Sequence, residues 1–334
     1  MEKELHAALA AAEAAALVCR RVQETLVLRE VVLKQDRSPV TVADFGAQAV
    51  INHELGLVFP DIPVVGEEHS EVLRRDATLR RQVVEAVAEA AGGLGEEEVL
   101  AAIDRGGFAG GNGGRFWTVD PIDGTKGFVR REQYAVAIAL IDGGEVMLGV
   151  LACPNLPLVL AEPTPAGCVL AAVRGGGAWM RRLGGGEPAP VRVAAEKDPR
   201  RAVMCESVEA EHSSHAESAR IVNRLGVSAA PLRMDSQCKY ALLARGDASI
   251  YLRLPTRADY REKIWDHAAG ALLVEEAGGR VTDVAGHPLD FSRGRTLTAN
   301  RGVIATNGLL HDAVLAATGA VLGQGAPPPT AVAS

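Results

Sequence analysis

Residues 134–153 read YAVAIALID-GG-EVMLGVLAC, two apolar runs that meet at Gly143-Gly144. A glycine pair accepts the positive φ angles of a tight two-residue turn, so the segment predicts a β-hairpin. Strand composition extends on either side of it, from Trp117 to about Val173. The chain before it carries helical spacing over 3–28, 41–58, 79–91 and 96–103, interrupted by the short strand DIPVVGEE. After the loop LGGGEPAP, strands and helices alternate: RAVMCES, a helix over 214–225 stopped by Gly226, PLRMD, a helix from Ser236 to Arg245 stopped by Gly246, and ASIYLRL. A helix from about Trp265 to Ala277, the strand GVIATN and a last helix complete the pattern. The expectation is an α+β domain over residues 1–175 and an α/β domain over 190–320. The glycine-rich stretch 106–114 reads as a mobile loop and residues 324–334 (QGAPPPTAVAS) as a disordered tail.

A chain of 334 residues with 48% hydrophobic and 23% charged residues has the composition of a soluble globular protein. Its net charge of −7 comes without a long basic run, which argues against a nucleic-acid duplex or an anionic membrane as partner and favours small ligands. No apolar run approaches the roughly 20 residues of a membrane span, and the Ala-rich start is broken by Glu13, so it reads as an amphipathic helix. Cytoplasm, or an organelle lumen (plastid or mitochondrion) after loss of a transit peptide not seen here, is the expected location. Five scattered cysteines without CxxC or CxH spacing suggest neither a disulfide framework nor zinc.

The segment RFWTVDPIDGTKGF, residues 115–128, places Asp120 and Asp123 close together. Pro121 has no N–H for a strand ladder, so the strand is expected to end at Asp120, with both carboxylates in a turn shaped by Pro121 and Gly124. Taken alone this is an ordinary polar turn. Against that reading, two such carboxylates repel unless a cation lies between them, and hard divalent cations prefer oxygen ligands. Other acids fall at element ends: Glu67 closes the strand IPVVG, Asp266 opens the helix after Trp265, and Asp44 begins the helix that follows SPVTVA. Each alone is explained as a solvated loop or a helix-start residue.

Together, GEE at 66–68, DPIDGT at 120–125 and WDHAAG at 265–270 resemble the magnesium-dependent, lithium-sensitive phosphatases that include inositol monophosphatases and fructose bisphosphatases. KQDRSPVTVAD, GVLACPNLPL, HSSH, DSQCKY, YLRLP and YREKIWDHAAGALLVEEAGG are similar to the bisphosphate nucleotidases of that superfamily, closest to plant-type ones, over residues 3 to 315. The resemblance implies a layered αβαβα sandwich and hydrolysis of the 3′-phosphate of adenosine 3′,5′-bisphosphate to AMP. The phosphosulfate analogue is a further substrate to test, and inositol polyphosphate 1-phosphatase activity is the alternative. A catalytically dead sensor of the nucleotide ranks third.

The same resemblance implies site residues. Glu67, Asp120 and the Ile122 carbonyl would hold one Mg²⁺, Asp120, Asp123 and Asp266 a second, and a third would lean on Glu67 through water, with Li⁺ inhibitory. Asp44 and Thr125 would orient the attacking water. Gly124, Thr125 and Asp266 would meet the substrate, together with Ser236, Lys239 and Arg253, which suit the 5′-phosphate, and His212 from HSSH. An apparent one-residue insertion between HSSH and DSQ leaves His212 and His215 as alternatives for that contact. The expected partner is a small-molecule nucleotide and the expected state a monomer or weak dimer.

Overall fold

The Gly143-Gly144 hairpin forms as expected and lies within a seven-stranded sheet. In this computed structural model the described residues are 1–29, 39–91, 93–161, 167–209, 214–257 and 259–323. The helices are α1 (Glu2–Arg29), α2 (Pro39–Val58), α3 (Glu71–Arg75), α4 (Ala77–Ala91), α5 (Glu96–Asp104), α6 (Thr125–Arg130), α7 (His215–Leu225), α8 (Cys238–Ala244), α9 (Ala268–Glu276) and α10 (His311–Leu322). The first sheet runs in chain order through β1 (Val64–Gly66), β2 (Arg115–Asp123), β3 (Ala135–Asp142), β4 (Glu145–Cys153), β5 (Cys168–Val173), β6 (Gly177–Arg182) and β7 (Ala189–Pro190). β1 and β2 are parallel and the remaining neighbours antiparallel. The second sheet uses β8 (Met204–Glu206), β9 (Leu232–Arg233), β10 (Ile250–Arg253), β11 (Arg280–Thr282) and β12 (Val303–Thr306), in the order β11-β12-β10-β8-β9.

Alternation along the hairpin sorts the strands onto two cores. Val136, Ile138 and Leu140 join the core under α1 and α2, whereas Ala135, Ala137, Ala139 and Ile141 face α8 and α9. The alanines let the helices come close: a Cβ on Gly149 of β4 would lie 2.8 Å from the Ala269 carbonyl oxygen of α9. The other side of α8 and α9 packs on the second sheet through Tyr251, Val303 and Ala305, and a third core joins that sheet's outer face to α7 and α10. The result is five layers, αβαβα. Among the described residues no helix is long and apolar enough to cross a membrane.

Four local expectations need correction. β2 does not stop at Asp120. It runs on to Asp123, because the pairing partner changes from Ala137 at Asp120 to Ala135 at Asp123, a bulge that accommodates the proline's missing donor. α2 begins at Pro39, so Asp44 lies inside the helix rather than at its start. α9 begins at Ala268, so Asp266 precedes it. α8 begins at Cys238, leaving Ser236 in the preceding turn with a left-handed φ of 65°. The tail 324–334 lies outside the described residues.

Candidate active site

The bulge in β2 decides where the central acids point. In a regular strand, residues three apart face opposite sides of the sheet. The bulge absorbs one residue, so Asp120 and Asp123 pair with Ala137 and Ala135 and share the face toward α8 and α9. Asp120 is 2% exposed, and its Oδ1 accepts the Ile122 N–H at 3.1 Å, which folds the carboxylate over the bulge. Gly124 follows with φ 89°, and a Cβ there would lie 2.8 Å from the Ser236 Cβ. Glycine is needed twice over, for backbone conformation and for close approach. Thr125 then opens α6, its hydroxyl donating to the Ile122 carbonyl at 3.5 Å.

The second half of the chain closes on this loop from the other side. The Gln237 N–H donates to Asp123 Oδ2 at 2.5 Å. Its side-chain amide donates to the Trp265 carbonyl at 2.8 Å and accepts from the Gly270 N–H at 3.0 Å, fixing the turn that carries Asp266. Two cations lie over the Trp265 ring, Lys263 Nζ at 5.6 Å and the Arg295 guanidinium carbon at 4.8 Å from its centroid. Arg295 also donates to the carbonyls of Gly66, Gly106 (3.3 Å) and Phe108 (3.1 Å). It therefore fastens the loop bearing Glu67 and the start of the glycine-rich stretch to the Asp266 turn.

These elements enclose a cavity of about 360 Å³. Glu67, Asp120, Ile122, Asp123, Gly124, Thr125, Ser236, Lys239, Arg253 and Asp266 all line it, so the structure brings together every site residue expected from the sequence except two. Asp44 is buried on α2 and is not part of the cavity lining, but is close enough to feel the charges of Glu68 and Glu67. His212 lies outside the described residues. The alternative His215 turns its Nε2 to the Ser207 carbonyl at 3.0 Å.

The acids strain one another electrostatically. Burial, then the charges of Glu67, Asp123, Asp266 and Asp44, push Asp120 well above the carboxylate range. Burial and Asp123 do the same to Asp266, with Arg253 opposing. Glu67 is raised by burial and by Asp123, and its carboxyl is within hydrogen-bonding reach of Asp120. Asp44 is raised by burial, Glu68 and Glu67, and Glu68 is pushed up to about 7 by burial and Glu67. Acids held together out of water require protons or a cation between them. A donor set of carboxylates and one backbone carbonyl fits a hard divalent ion and not a soft one.

Spacing alone offers a different ligand set, Glu262, Asp266 and His267. Its hydrogen bonds rule it out. His267 uses both ring nitrogens, with Tyr240 Oη at 2.7 Å and Glu262 Oε2 at 3.1 Å. Despite its burial, Glu262 is held down at about 2 by the His267 bond and the Arg253 guanidinium, 3.1 Å away. Glu262 and His267, with Tyr240 behind them, brace Arg253. On the same wall, the Lys239 ammonium donates to the Met234 carbonyl at 3.1 Å and sits 5.4 Å from the Tyr251 ring centroid.

Gln48, Gln237, Glu262 and Arg295 are the residues that sequence reasoning missed. Gln237 and Glu262 fall inside the quoted motifs DSQCKY and YREKIWDHAAGALLVEEAGG, and Gln48 carries a signal of its own as an amide in the apolar helical run FGAQAVI, where a buried polar group needs a partner.

Residues 1–322 match the inositol monophosphatase family. The chain is 44% identical over 338 residues to the 3′(2′),5′-bisphosphate nucleotidase of Schizosaccharomyces pombe, covering 96% of this chain and 95% of the relative. It is 44% identical over 333 residues to that of Oryza sativa, covering 94% and 93%. The 3′,5′-bisphosphate nucleotidase AHL of Arabidopsis thaliana is 42% identical over 359 residues, covering 95% and 96%. Among solved structures, the inositol monophosphatase of Anabaena (Nostoc) sp. PCC 7120 shares the fold at a TM-score of 0.61 and 22% identity, covering 97% of each chain. Mycobacterium tuberculosis SuhB does so at 0.63 and 22%, covering 97% and 98%. With its fold, its carboxylate-lined cavity and a match that runs through both sheets, the chain belongs to the inositol monophosphatase family.

Proposed function

We propose that the chain is a Mg²⁺-dependent 3′(2′),5′-bisphosphate nucleotidase that converts adenosine 3′,5′-bisphosphate to AMP and phosphate. The observation that carries this reading is the lining of one cavity by two unlike sets of groups: acids suited to metal, and Ser236, Lys239 and Arg253, suited to a second anion. A substrate with two phosphates on one small scaffold needs both. The names of the relatives favour a nucleotide over an inositol polyphosphate.

Glu67, Asp120 and the Ile122 carbonyl would hold one Mg²⁺, Asp120, Asp123 and Asp266 a second, and Glu67 a third through water. Bound there, the ions supply positive charge at the phosphoryl oxygens and make water a better nucleophile near neutral pH. The chain's own groups set the geometry. Thr125 commits its hydroxyl proton to the Ile122 carbonyl, which leaves its lone pairs to accept from the attacking water. Asp44, on the Glu67 side, is the second acceptor for that water. Lys239, Arg253 and the Ser236 hydroxyl take the 5′-phosphate, and the family resemblance implies His212, with His215 as the alternative, for the nucleoside. The 5′-phosphosulfate analogue presents the same two anions and is a substrate on the same grounds. Li⁺ inhibits by competing at a carboxylate site, and the enzyme acts as a monomer or weak dimer in cytoplasm or an organelle lumen.

The deciding experiment compares kcat/KM for adenosine 3′,5′-bisphosphate and inositol 1,4-bisphosphate in Mg²⁺, with and without Li⁺. The nucleotide is expected to win by at least about 10-fold, the factor that ~1.4 kcal/mol of preferential transition-state binding gives. Preference for the inositol phosphate overturns the substrate assignment.

A further inference from the structure

α2 carries a stripe of buried polar residues, Asp44, Gln48 and Asn52, each one helical turn from the next. Asn52 donates to the Ala102 carbonyl at 2.8 Å, mooring α5 to the helix. Gln48, at 0% exposure, does something more specific. Its Oε1 accepts the Glu68 N–H at 2.8 Å, and its Nε2 donates to the Glu68 carbonyl at 2.8 Å and to the Ile103 carbonyl at 3.3 Å. One side chain thus grips both main-chain polar groups of the residue after Glu67. The surroundings are shaped for it. A Cβ on Gly66 would lie 2.8 Å from the Gln48 amide carbon, nitrogen and oxygen, and a Cβ on Gly106 would lie 2.8 Å from its Nε2.

We propose that Gln48 is a positioning residue for metal binding, which fixes the Glu67 carboxylate relative to Asp44 by clamping the Glu68 backbone onto α2. The proposal rests on the reading of Glu67 as a metal ligand. Because β1 ends at Gly66, Glu67 has no strand ladder to hold it. Arg295 restrains only the Gly66 carbonyl before it, and the Gln48 amide supplies the restraint after it. Asp44 and Gln48 share one rigid helix face, so the clamp carries the position of Asp44 directly to the Glu67 loop.

The test is a Mg²⁺ titration of melting temperature on the full chain, the metal alone being the probe, for Gln48→Met, Gly66→Ala, Glu67→Gln and the pair Gln48→Ala with Gly66→Ala. Methionine keeps the volume of glutamine and removes its donor and acceptor. Gln48→Met is expected to raise the half-saturating Mg²⁺ concentration about 10- to 100-fold, the range seen when groups that orient metal ligands are lost. Gly66→Ala crowds the same amide and is expected to act in the same direction, its effect disappearing when Gln48 is already alanine. A lower melting temperature with wild-type half-saturation in both Gln48→Met and Gly66→Ala would overturn the proposal, since a purely structural residue changes stability and leaves metal affinity alone. Should Gln48→Met fail to fold, Gly66→Ala decides by the same criterion. Glu67→Gln separates the two readings: if it retains the wild-type titration, it is the ligand assignment that fails, whereas loss of response there with none in Gln48→Met refutes the clamp.

Discussion

The main-chain N–H of Gln237 donates to the Asp123 carboxylate at 2.5 Å, across 114 residues of sequence. Through its side chain the same residue holds the Trp265 carbonyl and the Gly270 N–H, so one glutamine registers two acids from opposite halves of the chain, Asp123 and Asp266. Gln237→Ala keeps the main-chain bond and strands two buried groups, a loss of about 1–3 kcal/mol for each. Denaturant unfolding should show that loss, and kcat/KM should fall with it as the Asp266 turn loosens. Unchanged stability would mean that the turn is held without the amide.

Asp123→Asn removes one negative charge from a crowded, buried group of acids. The metal-free protein should melt no lower than wild type, because Asp120 and Asp266 lose a repelling neighbour. Activity should move the other way, with kcat falling on the order of 100-fold or more. Near-normal turnover would remove Asp123 from the reaction.

The pH dependence follows from carboxyls whose folded pKa is raised. Glu68 moves from 4.5 to about 7, so the stability contributed by its protonated form is complete below pH 4.5 and is lost as pH rises through about 7. Asp44, Asp120 and Asp266 are shifted in the same direction. In chelator, the melting temperature should therefore fall as pH rises from about 4.5 to about 7, while the gain on adding Mg²⁺ should grow, because metal binds the deprotonated acids. A metal-free melting temperature that rises over this interval contradicts the assignment of these shifts.

Lys239 is 3% exposed, and burial lowers its pKa while Asp123 opposes the shift. Its ammonium already holds the Met234 carbonyl and the Tyr251 face, so under the proposed function it would meet an incoming phosphate pre-oriented. Lys239→Met should raise KM for adenosine 3′,5′-bisphosphate on the order of 10- to 100-fold with a smaller change in kcat. Steady-state kinetics on adenosine 3′-phosphate, which lacks the 5′ group, should show little difference between variant and wild type. An equal loss on both substrates would move Lys239 away from the 5′-phosphate.

The candidate site was legible through the resemblance carried by GEE, DPIDGT and WDHAAG, since Glu67, Asp120, Asp123 and Asp266 taken singly are explained as loop or helix-start residues; the structure lines one cavity with all four. The hairpin at Gly143-Gly144 and the alternating second half were legible from periodicity. What stayed hidden was how the pieces are registered. Pro121 was read as the end of β2, since a missing N–H ends a ladder as readily as it marks a bulge, and only the pairing with Ala135 and Ala137 separates the two. Asp44 reads as a helix start only while the serine and proline at 38–39, an N-cap residue type followed by proline at the first helical position, go unused as the earlier start signal. Arg295 was unreadable. An arginine in SRGRT, two residues after another, reads as surface, and its carbonyl partners at Gly66, Gly106 and Phe108 are roughly two hundred residues away.

The central claim is a regiospecific one, that carboxylate-held metal and a separate anion site select the 3′-phosphate of a bisphosphate nucleotide. Phosphorus NMR of adenosine 3′,5′-bisphosphate incubated with the purified chain tests it directly. With Mg²⁺ present the account predicts loss of the 3′ signal, growth of inorganic phosphate and a retained 5′ signal, all stopped by chelator. An unchanged spectrum at every Mg²⁺ concentration, or loss of the 5′ signal first, would contradict it.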